Sequence, residues 1–314
     1  MSATPVIGID LGGTKIEGAY VSPPALHKAE SRLRVPAEGE KGYRHVLNQI
    51  ALLCEKITLE TGQPLPRRIG IGAPGAVDSK TGLCKNSPNI TCINGQPLAQ
   101  DLGKILGVEV VVANDANCFA LAEAMLGKGK GFETVFGVIL GTGVGGGLVV
   151  NGSVLNGRHG IAGEWGQIPL YNPQEPPQAG RLLTIEETLA GPALERYYAR
   201  LSGQTLSFRE ISSRASAGGD SHADATLRHL IDNFSRAIAL VVDVFDPHAI
   251  ILGGGVGHTE ALYADEMRKK VEEHIFNATF ETPIFKPILG DSAGVFGAAL
   301  LVVSAADRSA LSLD

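Results

Sequence analysis

Cysteine is scarce. The four residues Cys54, Cys84, Cys92 and Cys118 show no CxxC spacing and no neighbouring pair of histidines. With no basic-plus-apolar segment at the N-terminus, this argues against a disulfide framework and for a reduced, cytoplasmic setting. No apolar run reaches the ~18 residues a membrane helix requires. Blocks of like charge are missing too: the net charge of −6 is spread along the chain, which argues against a nucleic-acid surface. The pattern GxxxxGK[ST] occurs nowhere in the sequence, so there is no Walker A loop.

What remains is an ordinary globular composition, with 44% hydrophobic and 19% charged residues. A chain of 314 residues exceeds what one core usually serves, so two domains are expected. Its 40 glycines cluster in a few short turns, places where the backbone takes a positive φ or approaches a ligand closely. Residues 6–10 (VIGID) read as an apolar strand, LGGT turns it, and 15–21 (KIEGAYV) read as a second strand in which Ile16, Gly18 and Tyr20 alternate with Glu17 and Ala19. Such a turn offers backbone N–H groups unscreened by side chains, which suits phosphate oxygens; a plain hairpin turn is the bland alternative. Residues 31–36 add a third strand, 42–61 an amphipathic helix ending at Gly62 with Pro64 beyond, and 68–73 (RIGIGA) another strand that stops in Pro74 and Gly75.

Residues 78–95 form a long loop rich in Asn, Ser, Pro and Gly, and loops of this length in compact domains are usually functional or disordered. The amides of Asn86, Asn89 and Asn94 both donate and accept, which suits sugar hydroxyls, or they only make Asx turns. After a short helix over 97–106, the stretch VEVVVANDANCFALAEA changes character in its middle. Val108, Val110, Val111 and Val112 read as a short, fully buried strand and 117–124 as a helix carrying Phe119, Leu121 and Ala122 inward. Asp115 sits at the junction. In open α/β sheets the ligand crevice lies beyond the carboxyl ends of strands, so Asp115 would face a substrate, or else it is merely the N-cap of the helix.

VIGIDLGGTK and VFGVILGTGV keep glycines in step at Gly8 and Gly137 and again at Gly12 and Gly141. The strand, glycine turn, strand unit therefore occurs twice. Such a duplication implies two like domains facing each other across a cleft, each offering a glycine turn to one polyphosphate. The second turn also satisfies GxGxxG over 141–146, the mark of a nicotinamide-dependent oxidoreductase, with Glu164 roughly where the ribose acid would stand. That reading requires a helix opening at the glycines, whereas GGLVVNGSVL continues as a strand.

IGIDLGGTK, GAPG before the Asn-rich loop, ANDANCFALAE, ILGTGVGGG, AGEWG and ILGGGV occur in this order over nearly the whole chain, and the sequence thereby resembles the ROK family of bacterial sugar kinases. The resemblance implies a duplicated actin-like, ribonuclease-H-like α/β ATPase fold, two domains around a central cleft, and a cytoplasmic homodimer. It implies transfer of the γ-phosphoryl group of ATP, with Mg²⁺, to a hexose or N-acetylhexosamine, commonly on the 6-hydroxyl. Residues 1–115 with a C-terminal helix at about 292–314 would form the small domain and 116–291 the large one. By the same resemblance Asp115 is the catalytic base and Asn114 a sugar ligand. Gly12, Gly13, Thr14 and Lys15 match the first phosphate turn, with Asp10 the carboxylate near Mg²⁺. Gly141, Thr142, Gly143 and Gly145 match the second, and Gly253, Gly254 and Gly255 the loop under the adenosine. Gly75, Asn89, Glu164 and Glu186 fall on sugar-contacting positions. Glu186 has a second reading as a first-turn acid of the helix that the capping box TIEE opens.

One departure stands out. Members of the family usually follow GE(x)GH with a cysteine cluster that binds structural zinc, but here Gln167 occupies the His position and the following stretch has no cysteine. Zinc of this type needs three or four thiolate or imidazole ligands, so no zinc site is expected, and Gln167 becomes the group at a sugar-contacting position. Sugar-responsive transcription repressors of the same family carry an N-terminal winged helix-turn-helix, whereas here the first strand is expected at Val6. The remainder reads as scaffold: a long apolar-striped helix over 223–245 closed by Pro247, a charged amphipathic helix over 259–276, and an apolar helix over 292–304.

Overall fold

The computed structural model describes residues 4–23, 25–173 and 180–303. It divides into two compact units, one built from 1–133, 147–162 and 288–314, the other from 134–146 and 163–287. No described helix is long and apolar enough to cross a membrane.

In the first unit the chain runs β1 (Val6–Leu11), β2 (Lys15–Val21), β3 (Ala29–Pro36), α1 (Tyr43–Thr61), β4 (Arg68–Ala73), the short pair β5 (Ala76–Val77) and β6 (Cys84–Lys85), α2 (Leu98–Leu106), β7 (Glu109–Asn114) and α3 (Asp115–Leu126). Strands order β3-β2-β1-β4-β7, antiparallel through the β1–β2–β3 meander and parallel from β1 to β4 to β7. The second sheet, from β8 (Thr134–Leu140), β9 (Val144–Val150), β10 (Ser153–Val154), β11 (Ala249–Gly253) and β12 (Ile284–Phe285), repeats that order as β10-β9-β8-β11-β12. The expected duplication is thus present strand for strand. The GxGxxG glycines lead straight into β9 with no helix, so the dinucleotide fingerprint lacks its context.

The helices of the second unit are α4 (Ile185–Leu189), α5 (Gly191–Ser202), α6 (Phe208–Ala217), α7 (Ser221–Phe245) and α8 (Asp265–Glu272). The capping box read at TIEE opens α4, with Thr184 accepting from the Glu187 N–H and Glu187 from the Thr184 N–H. The chain returns to the first unit through α9 (Ala293–Val302). This helix lies on β1 and β4, and glycines make the approach possible. A Cβ on Gly8 would stand 2.1 Å from the carbonyl oxygen of Val295, and one on Gly70 1.8 Å from that of Ala298. Gly8 and Gly70 are register partners on neighbouring strands, so the pair forms one bare strip for the helix.

Four expectations are corrected. β7 is half-buried, not fully buried, because it is an edge strand with no sixth strand beyond it. Glu17 is buried although the alternation of β2 set it against the apolar residues: both faces of that strand are covered, one by Leu53 and Ile57 of α1 over Gly18, the other by the Glu17 carboxylate with Arg32 and Arg34. The charged helix expected over 259–276 contracts to α8, preceded by a 3-10 turn and an extended Ala264, and Phe276 beyond it is fully exposed. The units also do not divide at 115/116. α3 is buried around most of its circumference, and its Ala116 and Asn117 lie against Gly147 of β9, which draws 116–133 and 147–162 into the first unit. The end of the C-terminal helix expected at about 292–314 lies outside the described residues from 304 on.

Candidate active site

In the first unit, register brings the carboxylates together. Arg34, Glu17, Asp10, Gly72 and Ala113 are successive partners across β3, β2, β1, β4 and β7. Gly72, with no side chain, leaves room for the start of α3: a Cβ there would stand 3.1 Å from Cys118 Sγ and 3.8 Å from Asp115 Cα. Asp115 at the carboxyl end of β7 thereby approaches Asp10. Burial, followed by the negative charge of Asp115, pushes Asp10 up to about 6. Asp115 is likewise lifted above the ordinary aspartate range by burial, against the N–H of Ala116 that its Oδ1 accepts at 2.9 Å. Burial is the larger cause for both carboxylates, and at Asp10 the positive charge of Lys15 pulls the other way.

The helix-cap reading of Asp115 is corrected, because the cap is Asn114. Its Oδ1 accepts the N–H groups of Ala116 at 2.9 Å and Asn117 at 3.3 Å, while its Nδ2 donates to the Gly75 carbonyl at 2.8 Å. Asn114 therefore ties the start of α3 to the Pro74–Gly75 turn, and its side-chain amide also hydrogen-bonds the Asp115 carboxylate. Gly75 adopts φ +83°, and a Cβ there would meet the Lys85 carbonyl at 2.5 Å, so the Asn-rich loop folds directly onto it. Within that loop Asn94 is structural, bracketing Ser87 by accepting its N–H and donating to its carbonyl. Asn89, exposed, lies against the first glycine turn, 3.0 Å from where a Cβ on Gly13 would be. That turn is closed by the Gly12 N–H on the Lys15 carbonyl at 3.0 Å and leaves Thr14 and Lys15 exposed. The first unit thus gathers Asp10, Gly12, Gly13, Thr14, Lys15, Gly75, Asn89, Asn114 and Asp115 on one edge of its sheet.

The second unit gathers the other set. Its glycine turn is closed by the Gly141 N–H on the Gly143 carbonyl at 2.9 Å, and α5 starts against it, the Gly191 N–H donating to the Gly141 carbonyl at 2.8 Å. Glu186 holds the far side of the turn, its Oε2 accepting the Val144 N–H at 2.8 Å; a Cβ on Gly143 would stand 2.8 Å from that same oxygen. Gly254, at φ +82°, and its neighbours Gly253 and Gly255 fold over the end of β8, where the Leu140 carbonyl accepts from Val256 and Gly257. Between these loops and the start of α6 opens a cavity of about 640 Å³, walled by Thr142, Pro192, Phe208 and Val256 among others. Gly145 accepts the indole N–H of Trp165 at 2.9 Å, and Trp165 stacks edge-on to Phe136 and Phe234. This buried indole anchors the turn that carries Glu164, half-buried, and Gln167, exposed.

Sequence reasoning missed Glu17, which burial opposes and the guanidiniums of Arg34 and Arg32 hold below the usual glutamate range. It also missed Glu123, a buried carboxylate that accepts the N–H groups of Lys128, Ile288 and Leu289. The partners that bury them come from another strand, for Glu17, and from the far end of the chain, for Glu123, so neither stands out locally.

A family model described as the ROK family matches residues 6–305. An N-acetyl-D-glucosamine kinase of Haemophilus influenzae is 37% identical over 312 residues, covering 95% of this chain and 99% of that protein. The crystal structure of a ROK hexokinase from Thermus thermophilus superposes with a TM-score of 0.80 at 33% identity, over 94% of this chain and 97% of its own. That of a ROK family glucokinase from Streptomyces griseus, in complex with glucose and AMPPNP, superposes at 0.74 with 29% identity, over 95% and 98% of the two chains.

Proposed function

Because the chain belongs to the ROK family, we propose that it is an ATP- and magnesium-dependent sugar kinase whose acceptor is N-acetyl-D-glucosamine or a related free hexose, phosphorylated on its 6-hydroxyl. The observation that carries the reading is Asp115: a half-buried carboxylate at the carboxyl end of β7, held by a helix start that Asn114, not Asp115 itself, caps. The relatives' names support the acceptor, since the Haemophilus protein is an N-acetyl-D-glucosamine kinase.

In this reading Asp115 accepts the proton of the sugar hydroxyl as its oxygen attacks the γ-phosphorus and the bond to the bridging oxygen of ADP breaks in line. Asn114 positions Asp115 through the cap and is itself a proposed sugar contact. Gly75 and Asn89 on the first unit, and Glu164, Gln167 and Glu186 on the second, are the other proposed sugar contacts. Glu186 has one oxygen already engaged by Val144, so it contributes through the other. The turns at 12–15 and 141–145 present N–H groups to phosphate oxygens, and the cavity beside Gly253, Gly254 and Gly255 takes the nucleoside. Asp10 fits magnesium, directly or through a water, because it is a half-buried carboxylate at the end of β1, beside the first glycine turn and close to the second carboxylate, Asp115. The metal supplies neutralisation of phosphate charge. The reading includes a cytoplasmic homodimer.

A coupled ADP-release assay over N-acetylglucosamine, N-acetylmannosamine, glucose, mannose, fructose and allose tests the proposal. Turnover greatest with N-acetylglucosamine is expected, and no turnover with any of these sugars would overturn it. Metal analysis of the purified protein is expected to give no stoichiometric zinc, since Gln167 replaces the histidine and no cysteine follows Cys118. Chelation should stop turnover only until magnesium is restored. One tightly bound zinc per chain would contradict this.

A further inference from the structure

The cavity of the second unit contains one carboxylate that neither the family motifs nor the mechanism above uses. Glu195, on α5, lines it together with Pro192, Phe208 and Val256. Its Oε1 accepts the N–H of Phe208, the first residue of α6, at 2.9 Å. The side chain is therefore fixed in place, and its second oxygen has no protein partner among the described residues. We propose that Glu195 reads the ribose hydroxyls of the nucleotide and so makes the site selective for an intact ribonucleoside. The inference rests on the assignment of ATP to this unit.

Three observations lead there. First, α5 begins against the phosphate turn, where the Gly191 N–H donates to the Gly141 carbonyl. Glu195 stands four residues further along, about 6 Å at the rise of an α-helix, roughly the reach from a nucleotide's phosphates to its sugar. Second, the group has the wrong charge for phosphate: a carboxylate facing phosphate oxygens would be repelled, whereas hydroxyl hydrogens are donors it can accept. A carboxylate on a ribose hydroxyl is also how dinucleotide folds recognise the same sugar. Third, the neighbouring walls formed by Pro192, Phe208 and Val256 are apolar and suit the flat base beyond the ribose. The competing explanation is that Glu195 only secures the start of α6, and that role is separable from ligand recognition.

Calorimetric titration of the full chain with ADP and with 2′,3′-dideoxy-ADP separates them without relying on turnover. A hydrogen bond to a charged group predicts that the wild type binds ADP about 10- to 100-fold more tightly than the dideoxy nucleotide. Glu195→Ala should lower ADP affinity to the dideoxy value and leave dideoxy binding unchanged. Glu195→Gln keeps an acceptor for the Phe208 N–H, so its melting temperature should match the wild type while its discrimination shrinks. This variant decides the matter if Glu195→Ala does not fold. Equal wild-type affinities, equal losses for both nucleotides in Glu195→Ala, or full discrimination in Glu195→Gln would overturn the proposal. Intact discrimination without turnover on any sugar would instead strike the kinase reading and leave this one standing.

Discussion

Asp115→Asn is expected to lower kcat by about 10²- to 10⁴-fold, the usual cost of removing a general base, while sugar and ATP affinities change much less. Asparagine preserves the shape and a hydrogen-bonding oxygen but cannot take the proton of the attacking hydroxyl. The structure sharpens the experiment. Because Asn114 supplies both capping bonds to the start of α3, the substitution leaves the cap in place. What it removes is a first-turn acid, whose interaction with the helix dipole is about 0.3–1 kcal/mol, and a carboxylate that burial disfavours in its charged form. These two effects oppose each other, so the melting temperature should stay close to that of the wild type. Steady-state kinetics together with a thermal melt checks both halves. A variant with near wild-type kcat would return Asp115 to the scaffold; a large drop in stability would mean that the lost turnover reflects misfolding.

Gly70→Ala is expected to destabilise the protein by about 3 kcal/mol, the upper end of what added atoms cost in a packed core. The sign is informative because propensity predicts the reverse: in a strand interior alanine is favoured over glycine by roughly 0.5–1 kcal/mol. Here the new Cβ would stand 1.8 Å from the Ala298 carbonyl oxygen. Backbone of a buried helix cannot swing aside as the end of a flexible side chain can, so α9 would have to lift from β1 and β4. At roughly 2–4 °C per kcal/mol for chains of 150–250 residues, the melting temperature should fall by about 6–12 °C. Gly62→Ala is the control. Gly62 ends α1 at φ +62° with open space around it, so alanine there meets only the left-handed backbone penalty of about 1–2 kcal/mol. If Gly70→Ala were no worse than Gly62→Ala, the close approach of α9 would not be a stabilising feature of the fold.

Much of this protein was legible in its sequence because the relevant signals are local. The in-step glycines of VIGIDLGGTK and VFGVILGTGV mark a repeated strand, turn and strand, and the two sheets share one order. The periodicity of 43–61, stopped by Gly62, is α1, and the TIEE capping box opens α4. Each depends on residues a few positions apart, whose backbone preferences and short-range hydrogen bonds do not wait for the rest of the chain. Tertiary structure decided what depends on register and on distant partners. Whether four valines make a central or an edge strand depended on what pairs beyond β7, and nothing does. Glu17 became buried because β3 set Arg34 opposite it and Arg32 beside it. Asp10 and Asp115, 105 positions apart in the chain, came together because the intervening strand carries Gly72 opposite Asp10, which leaves room for the start of α3. Asn114, not Asp115, caps α3, and the carbonyl of Gly75 at another strand's end holds that side chain. A sequence states which groups can ionise or hydrogen-bond; only the packing of distant segments sets which are desolvated and which are already partnered, and that is what separates a catalytic carboxylate from a structural one.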